Sequence, residues 1–217
     1  MATGDQPAAA PARSPGRPRL HEPDAERDLI LMAALEVLRR NAGEEATVAD
    51  ILEEAGLSTR AFYRHFDTKE DVIRSLFERD AESFGAHLRR RVEAADNPND
   101  ALAVWVNEML GLAYDRRRAE RVSALSSPMV LRVVAGTTAQ QLGSDLLGQP
   151  LRSVLVEGQA GGWFSDVHPE LDTRTIRAIT AEATNWARTG VVRLTRREAA
   201  EHILRFSRAA LGARAPA

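Results

Sequence analysis

Thr59, Arg60 and Tyr63 lie within five positions of one another, in the stretch LSTRAFYRHF at residues 57–66. If that stretch is helical, two hydroxyls and a guanidinium share its outward side. Such groups can donate to phosphate oxygens and to base edges in a nucleic-acid groove. Arg64 and His65 stand beside them, and the ten residues contain no acid. Phe62 and Phe66 are four apart and fall on the opposite face, where with Leu57 they would anchor the helix. Aromatic residues make up only 5% of the chain, so three within five positions mark a surface with two purposes.

The elements that must position this stretch can be read from their punctuation. Asp24 is a plausible N-cap for a helix to about residue 41, with apolar residues at helical spacing from Leu29 to Leu38, and Gly43 ends it. Thr47 and Asp50 form a capping box that opens a short helix through Ala55. Gly56 permits a tight reversal, and Ser58 caps the next helix, about 59–66. Thr68 and Asp71 open a longer helix reaching about residue 92. Two short helices joined by a glycine turn and backed by a third describe a helix-turn-helix.

Beyond residue 97 the pattern stays helical, with stretches near 99–117, 119–133 and 137–160, the last expected to bend or break near Pro150. GQAGGWF at 158–164 and His168-Pro169 mark a loop. Helices are expected over 172–189 and 196–211, the second opened by a Thr195–Glu198 capping box. No segment shows sustained strand alternation, so the fold class is all-α.

Composition narrows the function. At 217 residues, 44% hydrophobic and 28% charged, the chain is of globular type. It has no cysteine, no apolar run long enough to span a membrane and no signal-type leader, and is read as cytoplasmic. Net charge is −2, so attraction to nucleic acid has to come from local basic features. One of these is 57–66. The other is an arm, residues 1–23, rich in Ala, Pro, Gly and Arg. The sequence has no nucleophile elbow, no phosphate-binding glycine loop and no zinc-binding histidine pair, which argues against an enzyme, a cofactor or a metal.

The stretch TVADILEEAGLSTRAFYRHFDTKEDVI resembles the tetracycline-repressor (TetR) family of bacterial transcription regulators, over about residues 24–80. The resemblance rests on Ala-Gly-Leu-Ser at 55–58, Phe62-Tyr63, His65-Phe66 and Thr68-Lys69-Glu70. It implies a helix-turn-helix domain at 24–70 and a ligand-binding and dimerisation domain at 71–212, joined by the helix 69–92. It further implies that Thr47 and Tyr63 contact phosphates, with His65 near the backbone. Thr59 and Arg60 would face base edges with Arg64 beside them, Ser58 would cap the reading helix at the contact, and Lys69 would hold a phosphate. Arg60 and Ala61 depart from a common form with Gly and a small residue, which raises a direct Arg–guanine contact. In the arm, Pro15-Gly16-Arg17-Pro18-Arg19 resembles an AT-hook core, in which Arg17 and Arg19 would enter a minor groove; a solvated tail is the equal alternative.

The remaining two thirds must do something other than bind DNA. Trp105, Met109, Leu112, Tyr114, Met129, Leu155 and Trp163 are mostly core residues individually, and together could line a pocket for an apolar effector. Ile176, Ile179, Ala183 and Trp186, with Ile203, Phe206 and Ala210, form stripes suited to a two-fold four-helix interface between copies. The expectation is a homodimeric, ligand-responsive regulator, most simply a repressor of a palindromic operator. The alternatives are a helical small-molecule-binding or protein-docking module without DNA binding, and an all-α enzyme.

Overall fold

The computed structural model describes residues 23–41 and 46–214. They form ten helices: α1 (Pro23–Arg40), α2 (Val48–Ala55), α3 (Thr59–His65), α4 (Lys69–Glu93), α5 (Pro98–Tyr114), α6 (Arg116–Leu125), α7 (Pro128–Val134), α8 (Thr138–Ala160), α9 (Pro169–Thr189) and α10 (Arg196–Ala210). Among the described residues the only strand-like feature is an isolated bridge between Phe164 and Ala213.

The short helices begin where side chains satisfy the first free amides. Thr47–Asp50, Thr68–Asp71 and Thr195–Glu198 each close a reciprocal capping box at the heads of α2, α4 and α10. Gly56 ends α2 at φ +63°, and Leu57 N–H donates to the Leu52 carbonyl at 3.2 Å, so the chain reverses within two residues. Ser58 then accepts from the Ala61 amide and starts α3.

Three expectations need correcting. Residues 119–133 are not one helix: Ser127 caps a new helix and Pro128 occupies its first turn, so α6 ends at Leu125 and α7 begins at Pro128. Conversely, α8 runs through Pro150 unbroken. A proline removes its own N–H from the ladder and crowds the carbonyl four residues back, and close packing of α8 on α4 and α5 keeps the surrounding turns in place. The loop expected at His168-Pro169 is the head of α9, with Pro169 in its first turn.

There are two apolar cores. The first gathers Ile30, Val37 and Leu38 of α1, Ile51, Phe62, Phe66 and the first part of α4, together with Leu125, Val130 and Val134 of α6 and α7. The second joins Leu88 and Val92 of α4 to Trp105, Leu110, Leu151, Leu155, Ile176 and Ile203. The change from one to the other falls inside α4, between Leu76 and Leu88. That one helix therefore belongs to both.

Candidate DNA-reading and effector sites

α3 is divided by its helical angle. Ala61 and Phe62 are buried, as is Phe66 at its end, and Phe62 packs edge-on to Tyr63 with ring centres 5.4 Å apart. Thr59 and Arg60 are exposed, and Tyr63 is 58% exposed. Neither Thr59 nor Arg60 has a side-chain hydrogen bond or ion pair with any described residue. The outward face thus carries a hydroxyl, a guanidinium and a phenol with unspent capacity.

Other residues expected beside them are partly occupied. Thr47 exchanges hydrogen bonds with Asp50, donating through Oγ1 at 2.7 Å and accepting from the Asp50 amide at 3.1 Å. Ser58 Oγ caps α3. Lys69 is half-buried at the head of α4. Asp71, which could have neutralised it, is committed to Thr68 and Arg74. Arg17 and Arg19 lie outside the described residues.

Arg64 and His65 turn back toward α1. Arg64 reaches Glu26 Oε2 at 2.5 Å and His65 Nε2 lies 3.1 Å from the same oxygen. The His65 and Glu26 side chains are each only 9% exposed, whereas Arg64 retains 42%. His65 is therefore an internal support of α3 rather than a free surface donor. The hydrogen bond from His65 lowers the Glu26 pKa against the opposing effect of burial, and Arg64 adds to the lowering. Periodicity along one helix gives no sign of this pairing, since Glu26 is one of two acids in the first turn of α1.

Of the seven residues expected to line an effector pocket, Trp105, Met109, Tyr114 and Leu155 meet in or against the second core, and the other three do not join them. Trp105 and Leu155 are wholly buried in the second core, Met129 belongs to the first, and Trp163 stands exposed after α8. Met109, Leu112 and Tyr114 are half-buried along α5. Large side chains close a core instead of lining space when they can interdigitate. One groove, of about 460 Å³, lies between α4 and α8. Val92, Ala101, Leu146, Pro150 and Val154 form apolar walls, while Arg89, Glu93, Asp96, Asp145 and Glu157 stand around it.

Glu108 of α5 ties α4 to its neighbours. It accepts from His87 and Arg91 of α4 at 3.0 and 3.2 Å and from Arg118 of α6 at 3.0 Å. Burial pushes its carboxyl pKa up, yet these three donors outweigh that and hold it at about 2.

α9 and α10 enclose an open apolar cleft of about 260 Å³, lined by Ile179, Trp186, Leu194, Ile203 and Phe206 among others. Phe206 is 55% exposed and Ala210 is exposed, whereas Ile176, Ala183 and Ile203 are almost wholly buried within the chain's own second core. The expected interface stripe is thus split between core and surface. No group of three or more metal-ligating side chains occurs among the described residues, and none of their helices is long and apolar enough to cross a membrane.

Residues 30–76 match the family model of bacterial regulatory proteins, tetR family. The fatty acid metabolism regulator protein of Bacillus subtilis (strain 168) is 25% identical over 150 residues, covering 68% of this chain and 74% of that one. The HTH-type transcriptional regulator TcmR of Streptomyces glaucescens is 34% identical over 89 residues, and the match spans only 39% of that protein. Among solved structures, the regulator FadR of Bacillus subtilis in complex with stearoyl-CoA superposes with a TM-score of 0.68 at 20% identity, over 84% of this chain and 98% of that one. Reduced NemR of E. coli gives 0.71 at 16% identity, over 88% and 100%. These structural likenesses establish the fold.

Proposed function

We propose that this chain, whose residues 30–76 match the family of bacterial regulatory proteins, tetR family, is a homodimeric repressor that reads a palindromic operator and releases it on binding a small molecule, and is not an enzyme. The observation that carries the reading is the unspent outward face of α3, Thr59, Arg60 and Tyr63, held rigid by buried Phe62 and Phe66.

In this reading α3 enters the major groove, Thr59 and Arg60 meet base edges, and Tyr63, Thr47 and Lys69 meet phosphates. Ser58 serves as the cap that aims the α3 amides. Arg17 and Arg19 would add minor-groove contacts from the arm. The helix-turn-helix unit of 24–70 and the body of 71–212 share α4, so anything that moves α4 moves the reading face.

The dimer is built on α9 and α10. An exposed Phe206 beside an open apolar cleft supports pairing with the same face of a second copy. The effector is a small, largely apolar molecule entering the groove between α4 and α8, whose volume suits such a ligand. The match to a fatty acid metabolism regulator supports a metabolite of apolar character. To act, the effector must favour the conformation that DNA disfavours.

Footprinting of the purified protein on genomic DNA tests the reading. Two protected half-sites about 34–36 Å apart are expected. Absence of any protected duplex at low salt would leave a helical binding module without DNA recognition.

A further inference from the structure

Glu26 joins the two ends of the reading head: its partners Arg64 and His65 lie 38 and 39 residues further along the chain. It is a carboxylate only 9% exposed, set in the first turns of α1 and facing the last turn of α3. A charge so placed is costly to desolvate unless donors meet it, and two do. Both come from adjacent positions on α3, so both fix the rotation of that helix about its own axis. Arg27, the next residue of α1, places its guanidinium 5.3 Å from the centre of the Phe66 ring, a second hold on the same end.

We propose that Glu26 is a positioning residue for DNA recognition, one that clamps α3 through His65 and keeps the charge of Arg64 from being spent on phosphate. The idea rests on the DNA-reading function above. It explains why α3 carries two guanidiniums four positions apart with different fates: Arg60 is without a described partner, while Arg64 is engaged. Arg64 retains 42% exposure, so its charge lies near enough to the surface to reach a phosphate if released. Holding it limits sequence-independent attraction, which grows with every phosphate neutralised. Glu26 thereby gives up some total affinity while fixing the orientation in which Thr59 and Arg60 meet bases.

The test is a salt titration of binding to a random-sequence duplex, between ~50 and ~200 mM salt. Glu26→Gln keeps the shape and an acceptor but removes the charge. It should steepen the slope of log K against log salt by about one unit, and Arg64→Ala in that background should restore the original slope. In the otherwise native chain, Arg64→Ala should leave the slope nearly unchanged, whereas Lys69→Ala should flatten it by about one unit. This last pair does not require the Glu26 variant to fold. A purely structural Glu26 would lower the melting temperature without moving the slope, and that outcome overturns the proposal. So does an equal flattening by Arg64→Ala with and without Glu26. If the native chain itself binds no duplex at any salt, the DNA-reading function fails first, and the two failures are distinguishable.

Discussion

The ring of Phe164 rests against the backbone of Gly158, six residues earlier, so closely that no Cβ fits between them. Gly158 lies in the last turns of α8, and Phe164 is buried at 1% exposure after the chain has reversed through Gly162 at φ +69°. The GQAGGWF segment is therefore a folded corner, onto which the residues after α10 are pinned by Ser165 and Asp166 amides donating to the Leu211 carbonyl.

Gly158→Ala should accordingly destabilise the protein by about 1–3 kcal/mol, the usual cost of forcing extra volume into a packed site. Urea denaturation reads this as a lower midpoint. An unchanged midpoint would mean that Phe164 can swing aside at little cost.

Arg60→Ala should cost about 1–3 kcal/mol on the operator and relax preference at one base pair. Binding measured on the operator and on a scrambled duplex separates the possibilities. Equal losses on both would make Arg60 a phosphate contact.

Glu108 should make the protein acid-sensitive. Its pKa is lowered on folding from 4.5 to about 2, so the unfolded chain binds that proton more readily than the native one. The stabilisation is present in full above about pH 4.5 and is lost as pH falls toward 2. Glu108→Ala should therefore destabilise strongly at pH 7, on the order of 1–3 kcal/mol, and progressively less on acidification. A mutational cost that stays constant across that range would remove Glu108 as the source.

Phe206→Asp should shift the protein toward monomer in sedimentation experiments while leaving its melting curve at low concentration little changed. The ring is 55% exposed in the single chain, so its loss from the monomer forfeits little. A variant that remains dimeric would place the interface away from the α9–α10 cleft.

What the sequence disclosed was what neighbouring residues decide among themselves. The boxes at Thr47–Asp50, Thr68–Asp71 and Thr195–Glu198 span three residues each, and all three close as spaced. Ser127-Pro128 carried an equally local signal for a new helix, obscured by the apolar periodicity continuing across it. Glu26–Arg64, His87–Glu108 and Arg118–Glu108 depend instead on how helices cross, and periodicity on one helix says nothing about its partner. The residues expected around an effector raise a related point. Size and polarity distinguish Trp105 and Leu155 from surface residues, but whether such side chains meet one another or line a void is fixed by packing.

α4 meets α8 closely where Gly85 faces Leu146, and a Cβ on that glycine would stand 2.9 Å from the Leu146 Cβ. Contact at a bare backbone would make this the fulcrum of any tilt of α4 against α8. On one side α4 runs ~12 Å along the groove to Glu93, and on the other ~24 Å to Lys69 at the head of the helix, by the ~1.5 Å rise of a helix. The arms are unequal by about two to one. A guest wedging the short arm outward by ~1 Å would swing the long arm ~2 Å the opposite way, and two such arms in a pair would change their span by twice that. If the proposed effector and dimer hold, the longer arm multiplies displacement at the DNA end, and a modest shift at the groove would spoil the match to two successive turns of a duplex.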